Sequence, residues 1–458
     1  MRSVNMAMRS QDETPEAATQ RDVLVLGLGA TGASCARYLA RTGHTALFAD
    51  TRVAPPAVAA VRAAMPGAEI IAGELPSKLP VGITRVVVSP GVDLDLPLLV
   101  DARARGVAIV SDLDLFMAAR QAPVVGITGS NGKSTVTTMV GAMCAAAGKT
   151  AGVGGNLGTP ALDLLDPAAA AYVLELSSFQ LERSATLELA AAVVLNVAAD
   201  HLDKHGTMAA YTAAKARIYA RAAVAVLNRD EPGLAALRSA GGPVVSFGLD
   251  EPAAGQFGVR GSGANAVIAR GDESIMPVTE LGTTGRHNLS NALAALALAD
   301  CLGIDRQACA SVLRAFRGLP HRMQIVSRRD GISWIDDSKA TNVAAAVTSV
   351  RSTEGPLILI GGGDGKGQGF GELADALRGR AATVILLGQD REQMGRELSP
   401  AAVVEFATTL PEAVRRARAL ARPGTTVLLA PACSSLDMFR SYEHRGQVFA
   451  AAVQEGER

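Results

Sequence analysis

Aromatic residues are scarce: one Trp, five Tyr and ten Phe make up 3% of 458 residues. Any core must therefore be assembled from Ala, Val and Leu. Cysteine is sparse too. Cys35, Cys144, Cys301, Cys309 and Cys433 are odd in number, scattered and without a C-x-x-C pair, which leaves no zinc or dithiol motif and fits a reducing cytoplasm. No run reaches the roughly 18 uncharged apolar residues of a membrane span. Net charge is zero, with 44 Lys plus Arg against 44 Asp plus Glu, so no global field draws the chain to nucleic acid or an anionic membrane. The N-terminus mixes Asp12, Glu13 and Glu16 with Arg2, Arg9 and Arg21; it lacks the apolar stretch of a secretory signal and reads as a disordered tail over 1–20.

What is present is a globular composition, 48% apolar and 19% charged, long enough for two to four domains at roughly 150 residues each. Short β-branched runs ending in Gly, Asp or Ser alternate with Ala-rich helical stretches, the rhythm of βαβ units and parallel sheets. Three series occur. The first holds Val23–Leu26, Ala46–Ala49, Arg85–Val88 and Val107–Val110; the second starts at Pro123 and continues with Tyr172–Leu176, Ala192–Asn196 and Val224–Asn228; the third follows Trp334 with Leu357–Ile360, Thr383–Leu387 and Thr425–Leu429. Proline-bearing joins precede the second and third series. Between Pro243 and Pro277 the chain turns Gly-rich, which suggests small antiparallel strands added to the middle unit.

Two glycine-rich turns follow strands. Gly27-Leu-Gly29-Ala-Thr31-Gly32, with Asp50 closing the next strand, is a dinucleotide-type fingerprint: glycines permit close approach and the helix N-terminus attracts a diphosphate. It fits a nicotinamide cofactor or another nucleotide diphosphate. Gly129-Ser130-Asn131-Gly132-Lys133-Ser134-Thr135 is a shortened P-loop, with Ile127 where the strict pattern has Gly; its amides suit phosphate, Lys133 the β and γ oxygens, and Ser134 or Thr135 a Mg²⁺. Two later strands end in Glu175 and lead to Asp200-His201, and in a parallel sheet such ends converge on the ligand. One or two carboxylates with phosphate and water suit Mg²⁺. Lys215, in an expected helix at 211–219, reads on spacing alone as a solvated lysine. The third unit shows His321-Arg322, then Asp336-Asp337-Ser338-Lys339-Ala340-Thr341-Asn342, Gly361-Gly-Gly-Asp364-Gly-Lys366 and Ser434-Ser435; cations and hydroxyls at strand ends suit a small dicarboxylate or a phosphate.

The order G-S-N-G-K-S-T, E-L-S-S-F-Q, N-V-x-x-D-H, H-N-x-x-N, G-L-P-H-R, D-D-S-K-A-T-N resembles the Mur ligase family across nearly the whole chain. The resemblance implies three α/β domains: a Rossmann-like UDP-substrate domain (21–112), a P-loop-type ATPase domain (113–318) and a Rossmann-like amino-acid domain (319–458). It implies an ATP-dependent amide ligase of peptidoglycan precursor synthesis, joining D-glutamate to UDP-N-acetylmuramoyl-L-alanine through an acyl phosphate, with domain closure before chemistry. Thr31, Asp50, Thr51, Arg52, Ser89 and Gly91 would hold UDP, and Asn156 the muramoyl group. MgATP would sit on Gly129–Thr135, with Asn288, Asn291, His321, Arg322 and Asp337 along the nucleotide, and Ser134, Glu175, His201 and a carbamylated Lys215 on the metal. Lys339, Thr341, Lys366, Ser435 and Tyr442 would hold D-glutamate. The expected partners are small molecules, with a monomer in the cytoplasm. The rival readings are a nicotinamide-dependent oxidoreductase, a P-loop module without ligation, and a sister ligase adding another amino acid or extending folate.

Overall fold

The computed structural model describes residues 22–156, 158–238 and 241–455, so the expected tail at 1–20 lies outside the described residues. The chain divides into two compact units. One takes in the described residues up to Ala118 with Arg183–Ala185, the other the remainder.

The first unit is a five-stranded parallel sheet in the spatial order Glu69–Ala72, Ala46–Asp50, Val23–Leu26, Arg85–Val88, Ala108–Val110. Strand order reverses between Val23–Leu26 and Arg85–Val88, the position where such sheets open a crevice for ligands. Leu24, Leu26, Leu47, Ala49, Val86 and Val88 face one core.

The second unit carries two sheets. The first has nine strands, with Val124–Thr128 between Leu189–Val194 and Ala171–Glu175. Val244–Phe247 pairs parallel with Ala222–Asn228, whereas Phe257–Arg260, Val267–Arg270 and Glu273–Pro277 form the antiparallel extension. The antiparallel expectation for this stretch is thus corrected at its first strand, which continues the parallel series. The near absence of aromatics is met by a helix buried on all sides: Ala292–Ala299 of Arg286–Cys301 packs with Val136, Met139, Val140 and Met143 of Lys133–Ala146, and small side chains let the two approach.

The other sheet has six strands. Gln324–Arg329 is antiparallel to Ile332–Asp336, so this sheet opens two strands before the series expected after Trp334, which begins at Leu357. Its central strands alternate cleanly: Leu357 and Leu359 enter one core, Ile358 and Ile360 the other, as a strand of period two with both faces covered requires. The sheet reverses at Thr426–Leu429, which is flanked by Ile332–Asp336 and Leu357–Gly361. The loops after these three strands therefore meet, and Asp364 bridges to Ser434.

Candidate active site

In the first unit, Thr31, Asp50, Thr51, Arg52, Ser89 and Gly91 line one cavity of about 620 Å³ at the strand reversal. Gly27 is left-handed (φ 96°), and a Cβ there would lie 2.7 Å from Ser89, so only glycine lets the two loops close up. Asp50 is buried and accepts from the Leu28 amide (2.7 Å) and the Arg52 guanidinium (2.6 and 2.9 Å). The Arg52 hydrogen bonds hold its pKa down at about 2.

In the second unit, the turn 129–132 leads into the helix Lys133–Ala146, presenting its N-terminus as an anion site. Its shape is pinned by the neighbouring strand end: Asn196 accepts from the Asn131 amide (2.9 Å) and donates to the Asn131 carbonyl (3.1 Å). Gly132 is left-handed (φ 86°), and a Cβ there would meet the Asn291 side chain at 2.5 Å; Asn291 thus sits over the loop. Asn288 instead donates to the Thr284 carbonyl. Lys133 Nζ donates to the Gly129 (2.8 Å) and Ser130 (3.0 Å) carbonyls, and burial lowers its pKa.

Glu175 is 2% exposed. Burial acts to raise its pKa, but the Lys133 charge and the Asn156 hydrogen bond (2.7 Å to Oε1) outweigh that and leave it a carboxylate. Asn156, expected on the substrate, thus has its amide on Glu175. Oε2 is buried without a hydrogen-bond partner of good geometry, the Ser134 hydroxyl standing nearby. Such an orphaned oxygen is what a cation would complete. Among the described residues no three His, Cys, Asp or Glu groups gather as a metal cage, so a cation here would need phosphate, water and one further anionic ligand.

His201 adopts a left-handed backbone (φ 54°), and burial lowers its pKa to about 4, leaving a neutral imidazole at pH 7. Lys215 is 1% exposed and donates to the Gly129 carbonyl (2.9 Å); burial, then the Lys133 charge, push its pKa well down. Spacing gave no sign of this burial. Asp200 accepts from Lys366 Nζ (2.8 Å), Asn342 Nδ2 (3.1 Å) and the His201 amide (3.0 Å), tying the loops of the nine-stranded sheet to those of the six-stranded one. Lys366 is therefore paired within the protein.

Across from the loop, burial lowers the pKa of Arg322 and brings that of Lys339 to about 8, the charges of Lys133 and Glu175 lying within range. Lys339 Nζ stands 3.7 Å from the Tyr442 ring centroid. His321 Nδ1 lies 2.7 Å from Asp336. Asp337 accepts from the Met323 amide and from the Ser349 hydroxyl, and burial raises its pKa to about 6; its carboxyl is thus already engaged. The Thr341 amide donates to the Lys339 carbonyl, and Ser435 caps the turn to Phe439. Of the non-glycine residues with positive φ, His201, His321, Lys366 and Ala432 all stand in this region. Sequence reading passed over Arg445, a buried guanidinium donating to Ser338 and to the Cys433 and Ser434 carbonyls. It also passed over Tyr211, Phe179 and His205, whose signals are plain apolar or helical positions.

Comparison with known proteins matches three family models: Mur ligase MurD-like, N-terminal domain (residues 21–111), Mur ligase middle domain (127–299) and Mur ligase, glutamate ligase domain (321–433). A UDP-N-acetylmuramoylalanine--D-glutamate ligase of Methylococcus capsulatus is 46% identical, covering 94% of each chain. One of Pseudomonas aeruginosa is 47% identical, over 94% of this chain and 97% of its own. The fold is shared with UDP-N-acetylmuramate-alanine ligase of Thermotoga maritima, at 20% identity and TM-score 0.62 over 95% of this chain and 99% of the other.

Proposed function

The chain belongs to the Mur ligase family, and from that premise we infer how its residues serve the reaction. It is an ATP-dependent ligase of peptidoglycan precursor synthesis that adds D-glutamate to UDP-N-acetylmuramoyl-L-alanine. The observation that carries the assignment of roles is the loop 129–135, pinned by Asn196 and facing Glu175 and a bank of cations from the C-terminal sheet. The domain boundaries 21–112, 113–318 and 319–458 are part of the proposal, as are a monomeric state and a cytoplasmic site of action. No helix among the described residues is long and apolar enough to cross a membrane.

A carboxylate is a poor electrophile, so ligation begins with attack of the alanine carboxylate oxygen on the γ-phosphorus of ATP, ADP leaving. Lys133 turns from its loop carbonyls to the phosphates, while Arg322 offsets developing charge. Asn291, Asn288, His321 and Asp337 flank the nucleotide. D-glutamate, held by Lys339, Thr341, Ser435 and Tyr442, and by Lys366 once it turns from Asp200, then offers its amine to the acyl carbon; the tetrahedral adduct expels phosphate and its nitrogen loses a proton. Thr31, Asp50, Thr51, Arg52, Ser89 and Gly91 bind the UDP end, and Asn156 orients Glu175 beside the muramoyl side.

Ser134, Glu175, His201 and Lys215 would hold Mg²⁺, which when bound supplies charge neutralisation of the phosphates. The neutral His201 ring and the orphaned Glu175 oxygen fit this. Lys215 fits it once its uncharged amine has added CO2 and lost a proton, leaving an anionic carbamate. The test is ADP release and D-glutamate incorporation, with L-glutamate and L-alanine as alternative acceptors. Turnover requires D-glutamate, and Lys133→Ala abolishes it; equal incorporation of L-glutamate, or turnover retained in that variant, would refute the assignment.

A further inference from the structure

His201 and His205 stand one turn apart, the His205 amide donating to the His201 carbonyl at 3.0 Å. In a bare sequence two such histidines read as a chelating face. The structure excludes that, because the Phe179 ring lies against both: edge-on to His201 (centroids 5.2 Å apart, planes at 76°) and stacked on His205 (5.0 Å, 17°). Both His205 nitrogens are also engaged, Nε2 at 3.0 Å from Ser178 Oγ and Nδ1 at 3.4 Å from Glu182 Oε1, with the side chain 3% exposed. His205 also meets the Tyr211 ring (5.1 Å, 49°), which lies 4.4 Å from Lys215 Nζ and bonds Ser130 through its hydroxyl (3.3 Å).

A continuous ladder of rings thus runs from His201 through Phe179, His205 and Tyr211 to Lys215. The His201 ring lies 3.7 Å from Asp200, too long for a hydrogen bond that would orient it. The Phe179 edge contact bears on the plane of that ring, and Phe179, having no polar atom, is itself stacked on His205. Imidazole suits that place because it joins a flat face to two polar anchors. Phenylalanine would offer the face without the anchors, glutamine the anchors without the face. We propose that His205 is a positioning residue that fixes His201 and Lys215 relative to each other through Phe179 and Tyr211. The proposal deepens the cation reading given above and rests on it.

The test compares wild type with His205→Phe and His205→Gln in the full chain. Three quantities are read: Mn²⁺ affinity by electron paramagnetic resonance with a non-hydrolysable ATP analogue, the carbamate signal in ¹³C NMR with labelled bicarbonate, and kcat and KM for D-glutamate. Loss of an outer partner of a metal ligand costs on the order of 10-fold in metal affinity or activity. That loss is expected for His205→Gln in Mn²⁺ affinity and kcat, with a weakened carbamate signal and KM for D-glutamate unchanged; His205→Phe, keeping the stack, falls between. Folded variants with Mn²⁺ affinity and carbamate signal like wild type would overturn the positioning role, and so would failure of both variants to fold, which would make His205 purely structural. Wild type showing neither Mn²⁺ binding nor a carbamate would overturn the cation reading itself, a result distinguishable from the others because it needs no variant.

Discussion

Lys133 and Lys215 donate to one acceptor, the Gly129 carbonyl oxygen, at 2.8 and 2.9 Å. Two ammonium groups on a single carbonyl repel, and the more buried Lys215 gives up its proton more readily. Removing Lys133 charge therefore raises the Lys215 pKa. In Lys133→Met the pH at which half the chains carry a carbamate moves upward, measured by ¹³C NMR against pH; an unmoved midpoint would show that burial alone governs Lys215.

The Asp200–Lys366 pair is nearly enclosed, with side chains 9% and 11% exposed. Taking away one partner of a buried pair leaves a charge that the remaining hydrogen bonds from Asn342 and His201 only partly satisfy. Lys366→Met is expected to lower the melting temperature more than Asp200→Asn combined with Lys366→Met. A double-mutant cycle should give a coupling of about 1 kcal/mol or more, and additive effects would mean that the pair contributes nothing.

Lys339 trades stability for function. Its pKa falls from 10.5 to about 8, chiefly by burial, so between those values the unfolded chain binds more protons than the folded one. Stability therefore rises with pH across that window as this cost is relieved. Lys339→Met removes the cost and is expected to raise the melting temperature at pH 7 by a few degrees while abolishing D-glutamate incorporation. A melting temperature that falls would show that the Tyr442 contact outweighs desolvation.

Asp50 behaves in the opposite sense. Its pKa is depressed from 3.8 to about 2, first by the Arg52 hydrogen bonds, so its contribution is complete above pH 3.8 and is lost as pH falls towards 2. Arg52→Ala should shift the acid unfolding midpoint upward and raise KM for the UDP substrate, with KM for D-glutamate unchanged. An acid midpoint equal to that of wild type would remove the pair from the account.

The three sheets were legible because their strands are short apolar runs closed by Gly, Asp or Ser, and the phosphate loop because Gly-Lys-Ser-Thr leaves few other uses for that order. The parallel pairing of Val244–Phe247 is not legible in the sequence because pairing direction depends on the return path of the chain, which composition does not encode. Lys215 looked like a solvated helix residue because a burial of this kind comes from tertiary packing around Gly129, and only the family likeness singled it out. The commitment of Asn156 to Glu175, of Lys366 to Asp200 and of Asp337 to Met323 and Ser349 was out of reach for the same reason. Each depends on residues distant along the chain.

His201, His321, Lys366 and Ala432 hold left-handed backbones around the second unit's site, a conformation that costs a non-glycine residue on the order of 1 kcal/mol or more. The groups that meet the ligands are thus aimed by main-chain torsion as well as by side-chain rotamer. A β-branched residue at any of the four would be strained in that conformation and would swing the whole loop, so variation in substrate choice should collect in neighbouring positions and spare these hinges of direction.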